Sequence, residues 1–338
     1  MSLRITAAAA ATTIALLAAA PALAAEVNIY SYNQSERMQP LFDAFTKETG
    51  IDVNVAYVEK GLIERLKAEG ARSPADIVMT VDIARLAQVA AAGVLQPVED
   101  ARLTAAIPAA FRDPDGLWYG VTTRARVVYA AKEAVKPGEV TTYEDLADPK
   151  WKGRICSRSG LSDYNLALTA AMIAHHGAEY TKGWLKGLKA NLARRPQGND
   201  RAQAKAIWAG ECDIALGNTY YIGQMLSNPD EKQYAEAVRL DFPHFEGGGT
   251  HVNVSGIAMT KAAPHRDAAL KLMEFLVSPQ GQKIYAEINN EFPLVKGVEW
   301  PAFMKEWPKF APDSIDLMAI AKNRPEALKI TEEVDFDG

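Results

Sequence analysis

The sequence predicts an α/β protein made of two domains, and three observations support that prediction. The chain has 338 residues, of which 48% are hydrophobic and 23% are charged, which is enough for two hydrophobic cores. Strand patterns and helical patterns alternate from residue 27 to residue 93, as in a helix-covered sheet. A second alternation begins near residue 155, after a long strand pattern at residues 118–129.

The first 24 residues differ from the rest and predict a cleaved export signal. Arg4 precedes an uncharged, Ala-rich run that ends in Pro21-Ala22-Leu23-Ala24, which is typical of a signal peptide and its cleavage site. A membrane anchor is the alternative, but the run is only weakly apolar. We therefore expect a soluble exported chain that starts near Ala25. Loss of Arg4 takes the formal net charge from −5 to −6, which argues against a nucleic-acid partner.

The first domain is predicted to be a parallel sheet covered by helices. Strand patterns at residues 27–32, 51–57 and 75–80 are separated by helical patterns, and strands connected in this way pair in parallel. Ligands of such sheets gather at the carboxyl ends of the strands. The residues at those ends include Tyr32, Gln34 and Asp82. Packing of Tyr32 at the strand end and capping of the next helix by Asp82 are the alternatives to ligand binding.

A strand pattern at residues 118–129 carries two arginines and is predicted to cross between the domains. Alternation places Arg124 and Arg126 on the same face, where two guanidinium groups can bind one anion. A solvated strand edge or a salt bridge is the alternative. A later strand pattern, at residues 251–259, follows a Gly-rich turn and is expected to return to the first domain.

Two cysteines in the second domain predict a disulfide. Cys156 and Cys212 each begin a strand pattern, and an exported protein reaches an oxidising compartment. Tyr164 and Tyr220 each follow a cysteine by eight residues, so a disulfide would bring two tyrosine-bearing loops together. Two free buried thiols are the alternative.

The stretch at residues 213–221 is the most informative of the chain. A short apolar strand pattern ends in Gly217-Asn218-Thr219 and is followed by Tyr220 and Tyr221. Where a loop turns into a helix, two neighbouring phenol groups can point at the same ligand. Packing of one ring and exposure of the other is the alternative.

Taken together, these motifs resemble the ferric-iron-binding periplasmic proteins of ABC importers. The resemblance covers nearly the whole mature chain and includes residues 73–76, 123–126, 143–153, 218–221 and 250–253. It implies the two-lobed fold of a type II periplasmic binding protein, with a central sheet in each lobe and a hinge between them. We expect one lobe to contain residues 25–123 and 248–290, and the other to contain residues 124–247 and 291–338.

The resemblance also implies the roles of individual residues. Tyr164, Tyr220 and Tyr221 would be phenolate ligands of Fe³⁺, a hard cation that prefers anionic oxygen. Arg124 or Arg126, together with Asn218, would support a synergistic anion such as carbonate. Many relatives carry a His ligand after the first strand, where this chain has Gln34 and Ser35. The second lobe is therefore expected to supply most of the ligands, with Tyr32 as a candidate from the first lobe.

The function implied is capture of ferric iron in the periplasm by a monomeric binding protein that delivers it to an inner-membrane ABC permease. A binding protein of the same fold for an organic cation or an oxyanion is the alternative, with Tyr220 and Tyr221 as walls of the pocket. A secreted hydrolase or lyase is a remote alternative, because the sequence contains neither His-Glu-x-x-His nor Gly-x-Ser-x-Gly. We therefore expect no enzymatic activity.

Overall fold

The structure, a computed structural model, describes residues 25–32, 35–58 and 60–338. The predicted signal peptide, residues 1–24, and the candidate residue Gln34 lie outside the described residues. Among the helices within the described ranges, none combines the length and the apolar character needed to span a membrane.

Within the described residues, nine strands form one continuous sheet through their pairing. They are β1 (Glu26–Ser31), β2 (Asp52–Tyr57), β3 (Ile77–Thr80), β4 (Tyr119–Ala131), β5 (Ile155–Cys156), β6 (Ile214–Asn218), β7 (Val238–Asp241), β8 (Val252–Met259) and β9 (Phe292–Pro293). The order along the sheet is β2-β1-β3-β8-β4-β6-β5, and β7 and β9 both pair with β4. β1 pairs in parallel with β2 and β3, which confirms the pairing predicted from the intervening helices.

Twelve α-helices lie within the described residues. They are α1 (Ser35–Thr49), α2 (Leu62–Glu69), α3 (Ile83–Ala91), α4 (Ala101–Ala106), α5 (Asp163–His176), α6 (Ala178–Ala190), α7 (Asp200–Trp208), α8 (Thr219–Leu226), α9 (Lys232–Glu236), α10 (Arg266–Leu276), α11 (Pro279–Asn289) and α12 (Leu317–Glu333). Of these, α1, α2 and α3 correspond to the helical patterns predicted between residues 27 and 93. The internal glycines Gly183 and Gly187 weaken the helical signal of α6.

The long strand β4 joins the two halves of the sheet. Its residues 119–125 pair with β8, and its residues 126–130 pair with β6. β8 in turn pairs with β3, so the chain returns to the first domain after residue 251, as predicted. We call β1, β2, β3 and β8 the first half-sheet, and β5, β6 and β7 the second half-sheet. β4 pairs with strands of both half-sheets and therefore connects them.

Candidate metal centre

Three phenol groups converge at the carboxyl end of the second half-sheet. β6 is buried along its whole length, and α8 begins directly after it, so Tyr220 and Tyr221 lie in the first turn of a helix. Their rings are 4.2 Å apart between centroids. The Tyr220 hydroxyl donates a hydrogen bond to the Tyr164 hydroxyl over 2.9 Å. The structure thus brings together the three tyrosines that the sequence singled out.

A disulfide and one glycine fix the position of these rings. Cys156 and Cys212 are bonded, which confirms the predicted disulfide, and β5 pairs in parallel with β6. The segments that follow the two strands therefore lie side by side. Gly217 allows the Tyr129 ring to pack on β6, since a Cβ there would lie 2.1 Å from that ring. The Tyr129 hydroxyl then donates to the Asn218 carbonyl over 2.6 Å, immediately before α8.

The phenol groups face a cleft of about 370 Å³ between the two half-sheets. The second half contributes Tyr164, Tyr220, Tyr221 and Gln224, and the first contributes Tyr32, Arg37, Tyr57 and Val81; the remaining lining residues are Arg124, Asn289 and Glu291. Within the described residues, no group of three or more His, Cys, Asp and Glu side chains is arranged to hold a metal ion. The oxygen atoms available in this cleft include those of the phenol groups and of the Glu291 carboxylate.

Burial controls the protonation of the paired phenols. It raises the pKa of Tyr221 to about 12, with further contributions from Tyr164 and Asp200. Burial and the neighbouring phenols raise the pKa of Tyr220 well above its ordinary value. Both groups are consequently neutral near pH 7, and each must lose a proton before it can bind a cation as phenolate.

The two predicted arginines have different surroundings. Arg124 lines the cleft, contacts the Val81 carbonyl oxygen and has its Nη2 3.9 Å from the Asp82 carboxylate. Arg126 does not line the cleft; its Nη1 lies 2.6 Å from the fully buried Asp200 carboxylate. The Asn218 Oδ1 accepts a hydrogen bond from the same Nη1 over 3.2 Å. Arg126 and Asn218 therefore lie on the side of the phenol groups that faces away from the cleft.

The two described candidates of the first half-sheet, Tyr32 and Asp82, have different surroundings. The Tyr32 ring stacks under the Arg85 guanidinium, with 4.5 Å between the Arg85 Cζ and the ring centroid. Burial raises the pKa of Tyr32, and the charge of Arg85 partly opposes this effect. The Asp82 Oδ1 accepts a hydrogen bond from the Ala84 backbone over 2.7 Å and caps α3. Of these two, Tyr32 lines the cleft that contains the three phenols.

Two charged residues of the cleft were not identified from the sequence. Glu291 is buried and accepts hydrogen bonds from the hydroxyls of Thr122 and Ser255. Arg37, on α1, is exposed to the cleft and has no ion-pair partner among the described residues. No local pattern identified Glu291, because its partners are 169 and 36 residues away in the chain.

Comparison with known proteins gives three consistent similarities. The profile of the family described as bacterial extracellular solute-binding protein matches residues 40–312. Iron uptake protein A1 of Synechocystis is 44% identical over 314 residues, which cover 92% of this chain and 87% of the relative. The apo ferric ion-binding protein A of Pasteurella haemolytica has a TM-score of 0.87 at 47% identity, covering 93% of this chain and 98% of the other.

A further solved structure contains bound ligands. It is the Trichodesmium protein called IdiA or FutA, in complex with iron and citrate. It is 44% identical, with a TM-score of 0.88, and covers 92% of this chain and 99% of the other.

Proposed function

The chain belongs to the bacterial extracellular solute-binding protein family, and from that premise we propose that it captures ferric iron in the periplasm and delivers it to an inner-membrane ABC permease. Family membership confirms the predicted resemblance and the two-lobed α/β fold. The similar proteins are uptake and binding proteins by name, in agreement with the prediction that the chain is not an enzyme.

The convergence of Tyr164, Tyr220 and Tyr221 is the observation that carries the proposal. Their hydroxyls lie within one cleft, and two of them are 2.9 Å apart. Phenolate is a hard anionic donor, and ferric ion prefers such donors over neutral nitrogen or sulfur. Metal binding would compensate the repulsion between adjacent phenolates and release their protons. Tyr32 is the candidate ligand from the opposite wall.

An anion is proposed to complete the coordination of the iron. Arg124 lies at the cleft, where the carboxylates of Glu291 and Asp82 both attract its positive charge. Burial disfavours that charge, but Glu291 and Asp82 outweigh burial and raise the pKa of Arg124. Arg37 adds a positive charge on the opposite wall. Carbonate or a small carboxylate that bound iron would meet both guanidinium groups, while Arg126 and Asn218 support the phenols from behind.

Closure of two lobes around the metal is the proposed binding motion. We propose lobes of residues 25–123 with 248–290, and of residues 124–247 with 291–338, in a monomer exported through its first 24 residues. The change of pairing partner along β4, from β8 to β6, supports a hinge near Arg126. A closed, loaded form would differ in shape from the open form, and the permease would recognise that difference.

Iron loading of the mature chain tests this proposal. Residues 25–338 are incubated with ferric citrate, desalted and analysed for iron, and their melting temperature is followed with ferric citrate or with phosphonate. We expect a single ferric ion per chain and stabilisation by ferric citrate alone, because only the bound ligand stabilises the folded state. Absence of iron with stabilisation by phosphonate would instead support the oxyanion-binding alternative.

A further inference from the structure

One carboxylate joins the two sides of the cleft beside the phenols. Asp163 is the first residue of α5 and directly precedes Tyr164. Its Oδ2 lies 3.6 Å from the Nη2 of Arg85 on α3, and its Oδ1 contacts the Nη2 of Arg324 on α12. α3 follows the first half-sheet, whereas α5 belongs to the second, so the pair Arg85–Asp163 spans the cleft. We call Arg85, Asp163 and Arg324 the bridge.

The bridge also connects candidate ligands on opposite walls. Arg85 covers the Tyr32 ring at 4.5 Å, and Asp163 is the chain neighbour of Tyr164. The series Tyr32, Arg85, Asp163, Tyr164 therefore runs from one phenol to another without interruption. The ion pair between Arg85 and Asp163 is therefore one link between the two walls that carry these phenols.

The bridge lies where water and salt reach it. Its three side chains line a second cavity of about 240 Å³ together with Tyr32 and Asp82. Their exposed fractions are 31% for Arg85, 45% for Asp163 and 23% for Arg324. Ion pairs with this exposure are weak and are screened by salt. A weak contact of this kind suits a cleft that must open and close.

We propose that Asp163 is a positioning residue that holds the two walls together through one arginine from each side, and thereby sets the distance between Tyr32 and Tyr164. The proposal rests on the proposed function, in which both phenols face the same iron. Without the carboxylate, the guanidinium groups of Arg85 and Arg324 repel each other across the same cavity. The cleft then opens more readily, and iron leaves faster.

Iron release to a chelator tests the bridge in the variants Asp163→Asn, Arg85→Gln and their double combination. The control is Lys182→Ala. It removes the 2.6 Å ion pair between Lys182 of α6 and Glu333 of α12, and neither residue lines the cleft. At about 0.01 M salt we expect each bridge variant to release iron roughly fivefold faster than the wild type, the factor that about 1 kcal/mol represents. At about 1 M salt, where the Debye length is about 3 Å, the wild type should approach the variants.

Coupling between the two residues distinguishes a bridge from two separate effects. The double variant should release iron no faster than the faster single variant, because both changes remove the same contact. The proposal would be overturned if the double variant increased the rate of iron release by the product of the two single effects. It would also be overturned if Asp163→Asn released iron no faster than the Lys182→Ala control. Partial rescue by Arg85→Lys would support it, since the charge is kept.

Small-angle scattering of the metal-free proteins tests the bridge independently of iron. The bridge variants should have a larger radius of gyration than the wild type and the Lys182→Ala control at low salt. Equal radii would overturn the proposal even if the wild type binds iron. A larger radius in a protein that binds no iron would support the bridge and contradict only the proposed function.

Discussion

The protonation of single phenol groups links the site to pH. Tyr221 has a pKa of about 12 and Tyr220 a pKa well above its ordinary value, chiefly because both are buried. In the metal-free protein they are therefore protonated at every pH below about 10, and a phenolate–iron bond forms only with loss of the proton. Lower pH favours the protonated phenols, so we expect acidification to weaken iron binding.

Proton release on iron binding is the prediction at the residue scale. Binding at pH 7 should release one proton from each of Tyr220 and Tyr221, so the apparent association constant should fall about tenfold per phenol for each unit by which the pH is lowered. Calorimetry in buffers of different ionisation enthalpy counts these protons. Tyr221→Phe should release about one proton fewer, whereas Tyr180→Phe, which does not line the cleft, should match the wild type. Equal proton release by wild type and Tyr221→Phe would contradict Tyr221 as a phenolate ligand.

Sequence reasoning worked best for residues whose position follows from local structure. The sequence predicts that Tyr220 and Tyr221 lie at one site because a buried strand runs directly into a helix. Glu291 and Arg37 were missed because their place in the cleft depends on contacts between distant segments. The sequence left two roles open for Asp82, ligand binding and helix capping, because it lies between a strand and the next helix. The structure shows that it caps α3.

At the scale of elements, a buried charge cluster ties α7 to the strands behind the phenols. Asp200 is the first residue of α7 and is fully buried. Its carboxylate lies 2.6 Å from Arg126 and 3.2 Å from Arg158, and it accepts the Asn218 backbone N–H over 2.9 Å. The start of α7 is thereby attached to the end of β6, from which α8 and its phenols continue.

Neutralising Asp200 is the prediction at the element scale. Asp200→Asn leaves two guanidinium groups without their shared carboxylate in a buried site, which should lower the free energy of unfolding by about 3–5 kcal/mol. Asp213→Asn is the control, because its pair with Arg154 is about one third exposed and should contribute at most about 1 kcal/mol. Urea unfolding of the metal-free variants measures both values. A loss for Asp200→Asn no larger than for Asp213→Asn would contradict the structural role of the cluster.

The helix α6 shows how packing overrides a weak local signal. Its glycines lower helix propensity, so periodicity gave no prediction there. A Cβ at Gly187 would lie 2.8 Å from the Ala147 Cβ, so the glycine allows the helix to approach a neighbouring segment closely. Tertiary contact thus stabilises a helix that the isolated sequence does not indicate.

At the scale of the whole molecule, two segments connect the halves of the sheet. β4 changes its pairing partner between Ala125 and Arg126, and β8 returns the chain to the first half-sheet. Both segments were predicted, because each is a long strand pattern placed between two α/β alternations. The packing of α12 against both α5 and α3 was not predictable, since it depends on how the two halves lie against each other.

This arrangement places the phenols at the edge of one lobe and directs them at the other. In the proposed closure about β4, Tyr32, Arg37 and Tyr57 would move towards Tyr164, Tyr220 and Tyr221, so a metal with few ligands in an open form would gain others in a closed form. The proposed hinge, the bridge and the proposed coordination of iron would then depend on the same motion.

The visible absorption spectrum of the mature protein with ferric iron tests the central claim most directly. Wild type and the Tyr180→Phe control should both show a tyrosinate-to-iron charge-transfer band, and the double variant Tyr220→Phe/Tyr221→Phe should lose it. Loss of the band with retention of the fold, checked by circular dichroism, would establish the phenols as ligands. A colourless wild type that retains no iron, or a band unchanged in the double variant, would contradict tyrosinate coordination of iron by this chain.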